Sequence, residues 1–167
     1  FAFDVNVSPW VGVSWSFTFP NGTGYYRFYS IAVDNASISE SVPVSNDTIC
    51  GYDTSKPSST ISYPVDGDFY KNGDIIDSNI SGTSVDTLSG IDHVNITIYN
   101  STGGTYWTGI TWQTGVAWME TNGTTSWYNN SAIPTWTSGN TYIVNSTATD
   151  TAGNIESTPD SNTFTYD

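Results

Sequence analysis

The chain of 167 residues holds one leucine, Leu88. Alanine, glutamate, lysine and arginine are scarce as well, so the residues that enter a helix at low entropic cost are missing. Thr, Val, Ile, Tyr and Trp fill the stretches between glycine-containing breaks instead, and these side chains fit a pleated, half-buried surface. The chain is expected to be all-β. Turn dipeptides at Asn21-Gly22, Asp66-Gly67, Asn72-Gly73, Ser89-Gly90, Asn122-Gly123 and Ser138-Gly139 each bring a residue that tolerates positive φ where antiparallel strands reverse. Spacing of this kind suits a sandwich of two antiparallel sheets.

Alternation places individual strands. From His93 to Tyr99, Val94, Ile96 and Ile98 fall on one face and Asn95, Thr97 and Tyr99 on the other, the period of two of a half-buried strand. From Tyr142 to Asp150, Tyr142, Val144, Ser146 and Ala148 share one face, with Asn145 opposite. In the segment 76–82, Ile76 and Ile80 are expected to point inward and Asn79 outward. Strands are expected near 58–64, 75–83, 92–99, 104–119, 125–131, 140–149 and 162–167.

Charged residues make up 11% of the chain, 16 acidic against 3 basic (Arg27, Lys56 and Lys71), for a net charge of −13. Binding to nucleic acid through phosphates is excluded by the lack of clustered cations. Membrane insertion within these residues is excluded by the lack of an apolar run long enough to span a bilayer. An aromatic content of 15% argues against disorder, because a disordered chain does not hold that much apolar surface.

An internal repeat organises the remainder. Ala32–Ser41 (AVDNASISES) aligns with Ala148–Ser157 (ATDTAGNIES) at an offset of 116, with Tyr26 opposite Tyr142 and Phe28 opposite Val144. Asp47–Asp53 (DTICGYD) parallels Ser161–Asp167 (SNTFTYD) at 114, and Trp15 parallels Trp127 at 112. Residues 1–53 then form a partial repeat equivalent to the last four strands, 54–60 a Pro-containing linker, and 58–167 a complete unit. The partial copy would leave apolar faces and sheet edges open, which calls either for neighbouring repeats in a tandem array or for strands from another subunit.

The segments ISYPVDGDFY, ISGTSVDTLSGIDHVNITIY and YIVNSTATDTAGNIES, in that order, resemble the immunoglobulin-like repeats found in tandem in bacterial and archaeal cell-surface proteins. The resemblance covers 58–157, with a weaker copy over 1–53. It implies an immunoglobulin-like antiparallel β-sandwich, one complete domain plus the C-terminal half of a preceding one, and little about chemistry. The cysteine pair of antibody domains is missing, since Cys50 is the one cysteine; packing alone must hold the core. Tyr142 and Tyr26 stand where a tyrosine hydroxyl reaches back to backbone across a sandwich corner, or where a plain core aromatic would sit. Trp127 and Trp15 are expected in the core.

Ten Asn-x-Ser/Thr tripeptides occur, at Asn6, Asn21, Asn35, Asn46, Asn79, Asn95, Asn100, Asn122, Asn129 and Asn145. Chance would give roughly four at this composition, so an exported, N-glycosylated protein at the cell surface is expected. Catalytic inventory is thin. His93, the one histidine, has no Cys or second His with which to hold zinc and no G-x-S-x-G elbow to serve. The carboxylate pairs Asp66/Asp68 and Asp74/Asp77 are near in sequence only. No cofactor is required; calcium is the ion the acids would suit, at Asp34 and Asp150 in equivalent repeat positions and at Asp53 before the linker. Trp107 and Trp112 are the candidates for stacking on a sugar ring. The expected role is a structural repeat of a surface fibre, stalk or envelope layer that self-assembles with identical or tandem domains. An adhesin or carbohydrate-binding module of a secreted protein is the alternative.

Overall fold

The computed structural model describes residues 16–76 and 79–167, and the chain divides into two compact units, Phe1–Thr54 and Ser55–Asp167. No α-helix occurs among the described residues. In the first unit, β1 (Gly24–Phe28) and β2 (Thr48–Tyr52) pair antiparallel with Tyr26 opposite Cys50. Beyond β1 the chain closes a small turn at 33–39 through a Val33–Ser39 bridge. Asn6 and Trp15, and most of what the partial repeat would contribute ahead of β1, lie outside the described residues. Cys50 is a half-buried free thiol.

In the second unit ten strands form two sheets. β3 (Ser58–Tyr63), β5 (Ser81–Val85) and β10 (Ser126–Tyr128) make the smaller, in the order β10-β5-β3 and antiparallel throughout. The larger contains β4 (Phe69–Tyr70), β6 (Ile91–Asn100), β7 (Thr105–Trp107), β8 (Trp112–Gln113), β9 (Met119–Glu120), β11 (Asn140–Asp150) and β12 (Asp160–Tyr166). Its order is β4-β12-β11-β6-β7-β8, with β9 also on β6, and β4 alone runs parallel to its neighbour, β12. After β3 the Tyr63-Pro64 peptide is cis, and the chain moves from the edge of the smaller sheet to the edge of the larger.

The core lies where the alternation puts it. Val94, Ile96 and Ile98 from β6, Tyr142, Val144 and Ala148 from β11, and Phe164 from β12 are all buried and face Ile61, Ile80 and Trp127. Trp127 fits because Gly82, its register partner on β5, has no side chain: a Cβ there would overlap both the indole and the Thr60 carbonyl oxygen. The indole N–H donates to the Thr83 carbonyl (3.1 Å), so the ring is buried without an orphaned donor.

Two segments differ from the sequence expectation. The strand expected from residue 75 begins at Ser81: Asp74 caps the turn at Asn72-Gly73 by accepting from the Lys71 N–H (2.9 Å), and the Asn79 N–H bonds the Ile76 carbonyl (3.0 Å). Ile75 is buried in place of Ile76, which is 51% exposed. The segment 104–119 holds three short strands; it opens at Gly104 and is broken between β7 and β8 at Gly109, both at positive φ, in a turn where the Thr108 hydroxyl oxygen accepts from the Thr111 N–H.

Candidate functional site

The repeat seen in the sequence returns as a repeat of individual hydrogen bonds. The Thr137 N–H donates to the Tyr142 hydroxyl oxygen (2.9 Å); at an offset of 116, the Asn21 N–H donates to the Tyr26 hydroxyl oxygen (3.3 Å), which itself donates to the Gly22 carbonyl (2.7 Å). Both corner tyrosines are thus in place, and both are buried. Each carries a second ring: Trp136 meets Tyr142 edge-on at 4.8 Å and stacks on Tyr166, while Phe19 meets Tyr26 at 4.7 Å and stacks on Tyr52 at 4.2 Å.

The acids at equivalent positions build the turns. Asp150 is 1% exposed and accepts from the Asn154 N–H on Oδ1 (2.7 Å) and from the Asn154 side-chain amide on Oδ2 (2.8 Å). Asp34 repeats this on the surface, its Oδ1 accepting from the Ala36 and Ile38 N–H groups at 2.8 and 2.9 Å. Asp53 follows β2 and accepts from the Thr23 hydroxyl (3.5 Å). Asp34 and Asp53 thus belong to the first unit and Asp150 to the second. Within the second unit, sequence reading missed the acid that Asp150 approaches, Asp86. One oxygen from each lies within 4.8 Å of the other, and Asp86 Oδ2 accepts from the Leu88 and Gly90 N–H groups. Backbone donors offset the charge of each of these two carboxylates.

Two further acids escaped sequence reading because a lone carboxylate in a loop resembles solvated charge. Glu156 joins three segments: Oε2 accepts from the Ala148 N–H (3.0 Å) and the Ser59 hydroxyl (2.6 Å), and Oε1 from the Ser59 N–H (2.9 Å). The Ser59 oxygen is then left to accept from the Ser146 hydroxyl at 2.8 Å, both serines being buried. Asp160 accepts from the Ile61 N–H (2.7 Å). β3 is held on the larger sheet by carboxylates. The signal available in the sequence was Glu40, which matches Glu156 in the repeat.

Of the asparagines in glycosylation tripeptides, Asn21, Asn35 and Asn122 are exposed, and Asn46, Asn79, Asn95, Asn100 and Asn145 are half-buried. Asn95 and Asn145 project from the outer face of the larger sheet, opposite the core. The Asn145 side-chain amide donates to the Thr97 hydroxyl (2.9 Å), using one of its two N–H bonds. Asn79 lies in a turn and not on a strand face, its amide bonded to the Asp74 carbonyl (3.1 Å). Asn129 is 1% exposed with its amide nitrogen on the Ser131 carbonyl (2.6 Å), so the folded protein does not present it as an acceptor.

The tryptophans correct another expectation. Trp107 is buried, donating to the Ala132 carbonyl (2.6 Å), and half-buried Trp112 lies against Trp107 and stacks on Tyr142. Both rings extend the core instead of forming a sugar platform; the exposed tryptophan of this region is Trp118, at 46%. His93 bonds its sequence neighbour Asp92 through Nδ1 (2.8 Å) at the surface. Lys56 and Lys71 are exposed.

Two sheets packed face to face, a tyrosine corner, and a first edge strand shared between the sheets define an immunoglobulin-like module. No helix among the described residues is long and apolar enough to cross a membrane. A family model described as "Bacterial Ig-like domain" matches residues 43–167, and the chain belongs to that family. Domains of this kind are typically structural or binding modules and are commonly surface-associated. No match was found among curated proteins or among solved structures.

Proposed function

We propose that the chain is a repeat module of an extracellular, N-glycosylated surface protein, a length of fibre, stalk or envelope layer whose role is mechanical. The observation that carries this reading is the recurrence of the corner and turn hydrogen bonds at an offset of 116. Tandem duplication of a load-carrying unit leaves such a trace, and each copy conserves the bonds that fix its corner. Identical or tandem domains are its partners, packed end to end. The asparagines carry glycans that shield the lateral faces, beginning with exposed Asn21, Asn35 and Asn122 and with Asn95 and Asn145 on the outer sheet face.

Glycopeptide mass spectrometry of the protein purified from its source tests the reading. Hexose-bearing mass shifts are expected at several of these asparagines and none at Asn129. Unmodified asparagines throughout would overturn the surface-glycoprotein assignment. The adhesin alternative rests on the exposed ring of Trp118, and it predicts glycan-array binding that Trp118→Ala abolishes.

A further inference from the structure

Two of the glycosylation tripeptides lie side by side in the larger sheet. Asn95-Ile96-Thr97 on β6 and Asn145-Ser146-Thr147 on β11 run antiparallel, and the register sets Asn145 opposite Thr97, Ser146 opposite Ile96 and Thr147 opposite Asn95. Each asparagine therefore faces the threonine of the other tripeptide. At one end the contact is direct: the Asn145 side-chain amide donates to the Thr97 hydroxyl oxygen (2.9 Å), and Thr97 is 1% exposed although it stands on the outer face.

Neither tripeptide lies on a sheet edge. Asn95 is paired with Thr147 on β11 and with Glu120 on β9, and beside it the Thr121 N–H bonds the Val94 carbonyl (2.9 Å). Asn145 is paired with Thr97 on β6 and with Ser161 on β12. A transferase that recognises Asn-x-Ser/Thr must take the backbone of the tripeptide into its own cleft, together with the hydroxyl two residues beyond the asparagine, so its acceptors belong in loops. The hydroxyl that belongs to Asn95 is the buried one that Asn145 holds. Asn35-Ala36-Ser37, by contrast, lies in the 33–39 turn with all three residues exposed.

We propose that the pairing of β6 with β11 closes Asn95 and Asn145 to glycosylation, so that both are modified only before these strands meet, while Asn35 stays open in the folded protein. In the transfer the asparagine amide nitrogen bonds the anomeric carbon of a lipid-diphosphate oligosaccharide. The bond from that carbon to the diphosphate oxygen breaks, its electron pair leaves with the diphosphate, and the nitrogen gives up one proton. Folding afterwards tolerates the product at Asn145, because the sugar replaces one amide N–H and the bond to Thr97 uses the other. The proposal rests on the glycoprotein reading and adds to it the order of modification and folding.

The test gives the folded, unglycosylated full chain to a single-subunit oligosaccharyltransferase that requires only Asn-x-Ser/Thr, with its lipid-diphosphate oligosaccharide donor. Synthetic peptides of residues 92–99 (DHVNITIY) and 142–149 (YIVNSTAT) serve as the unpaired acceptors. Glycopeptide mass spectrometry over time is expected to find sugar on both peptides and on Asn35 of the chain. Asn95 and Asn145 of the folded chain should react at least about a hundredfold more slowly than in the peptides, because only opening of the sheet presents them. Modification of either at the peptide rate overturns the proposal. So does refusal of the peptides, which would put the block in the local sequence, or equal protection of Asn35, which would put it in the folded state at large. Bare asparagines in protein purified from its source would instead fail the glycoprotein reading, and these rates would stand.

Discussion

Gly82 and Trp127 illustrate how one residue decides a packing problem. The indole occupies the space a side chain at 82 would need, and the Thr60 carbonyl closes the remaining approach. Gly82→Ala is therefore expected to destabilise the second unit by about 1–3 kcal/mol or more, since an overpacked core must shift backbone to admit even a methyl group. A urea titration followed by tryptophan fluorescence checks this; an unchanged midpoint would show that the ring does not sit beneath β5. Tyr63 makes a second residue-scale prediction. Burial, with Tyr70 and the charges of Asp74 and Asp68 nearby, raises its hydroxyl from the ordinary 10 to about 12, and it donates to the Asp74 carbonyl (2.9 Å). A group whose pKa is higher in the folded state stabilises in full below the unfolded value and loses that contribution as pH climbs through the folded one. Stability should fall between pH 10 and 12, and Tyr63→Phe should make that fall shallower in denaturant titrations across the window.

At the scale of elements, legibility followed the length of unbroken alternation. β6 and β11 were readable because ten and eleven residues keep the period of two, with a buried side chain at nearly every inward position. Ile75, Ile76 and Ile80 look like strand by propensity, yet a turn precedes them, and propensity does not register hydrogen bonds made by Asp74 and Asn79. β4 is two residues long and owes its pairing to β12, so nothing local announces it. The corner tyrosines were readable from the turn ahead of them and from the repeat. The clamp acids were not, since the function of Glu156 is set by segments 97 residues apart. Glu156→Gln keeps the shape but cannot accept all three hydrogen bonds, and should cost about 1–3 kcal/mol. Hydrogen exchange at the Ser59 and Ala148 amides is expected to accelerate; protection equal to the parent protein would show that β3 is held by its pairing with β5 alone.

For the whole molecule, fold class was legible from the residues the chain lacks, and family membership agrees with it over residues 43–167. The candidate site was less so. Trp107 and Trp112 were singled out for their number and spacing, but closely spaced aromatics on short strands filled the core, because an indole buries more apolar area than any other side chain available there. Asp34 and Asp150 stand 116 residues apart, and the hydrogen bonds of each fasten a turn. What recurs from one unit to the other is the means of holding a sandwich corner. Electron microscopy of the native material tests the mechanical role most directly. Regular filaments or a lattice with a repeat of one domain, bearing sugar density at Asn95 and Asn145, is the predicted result; isolated particles with bare asparagines would contradict it.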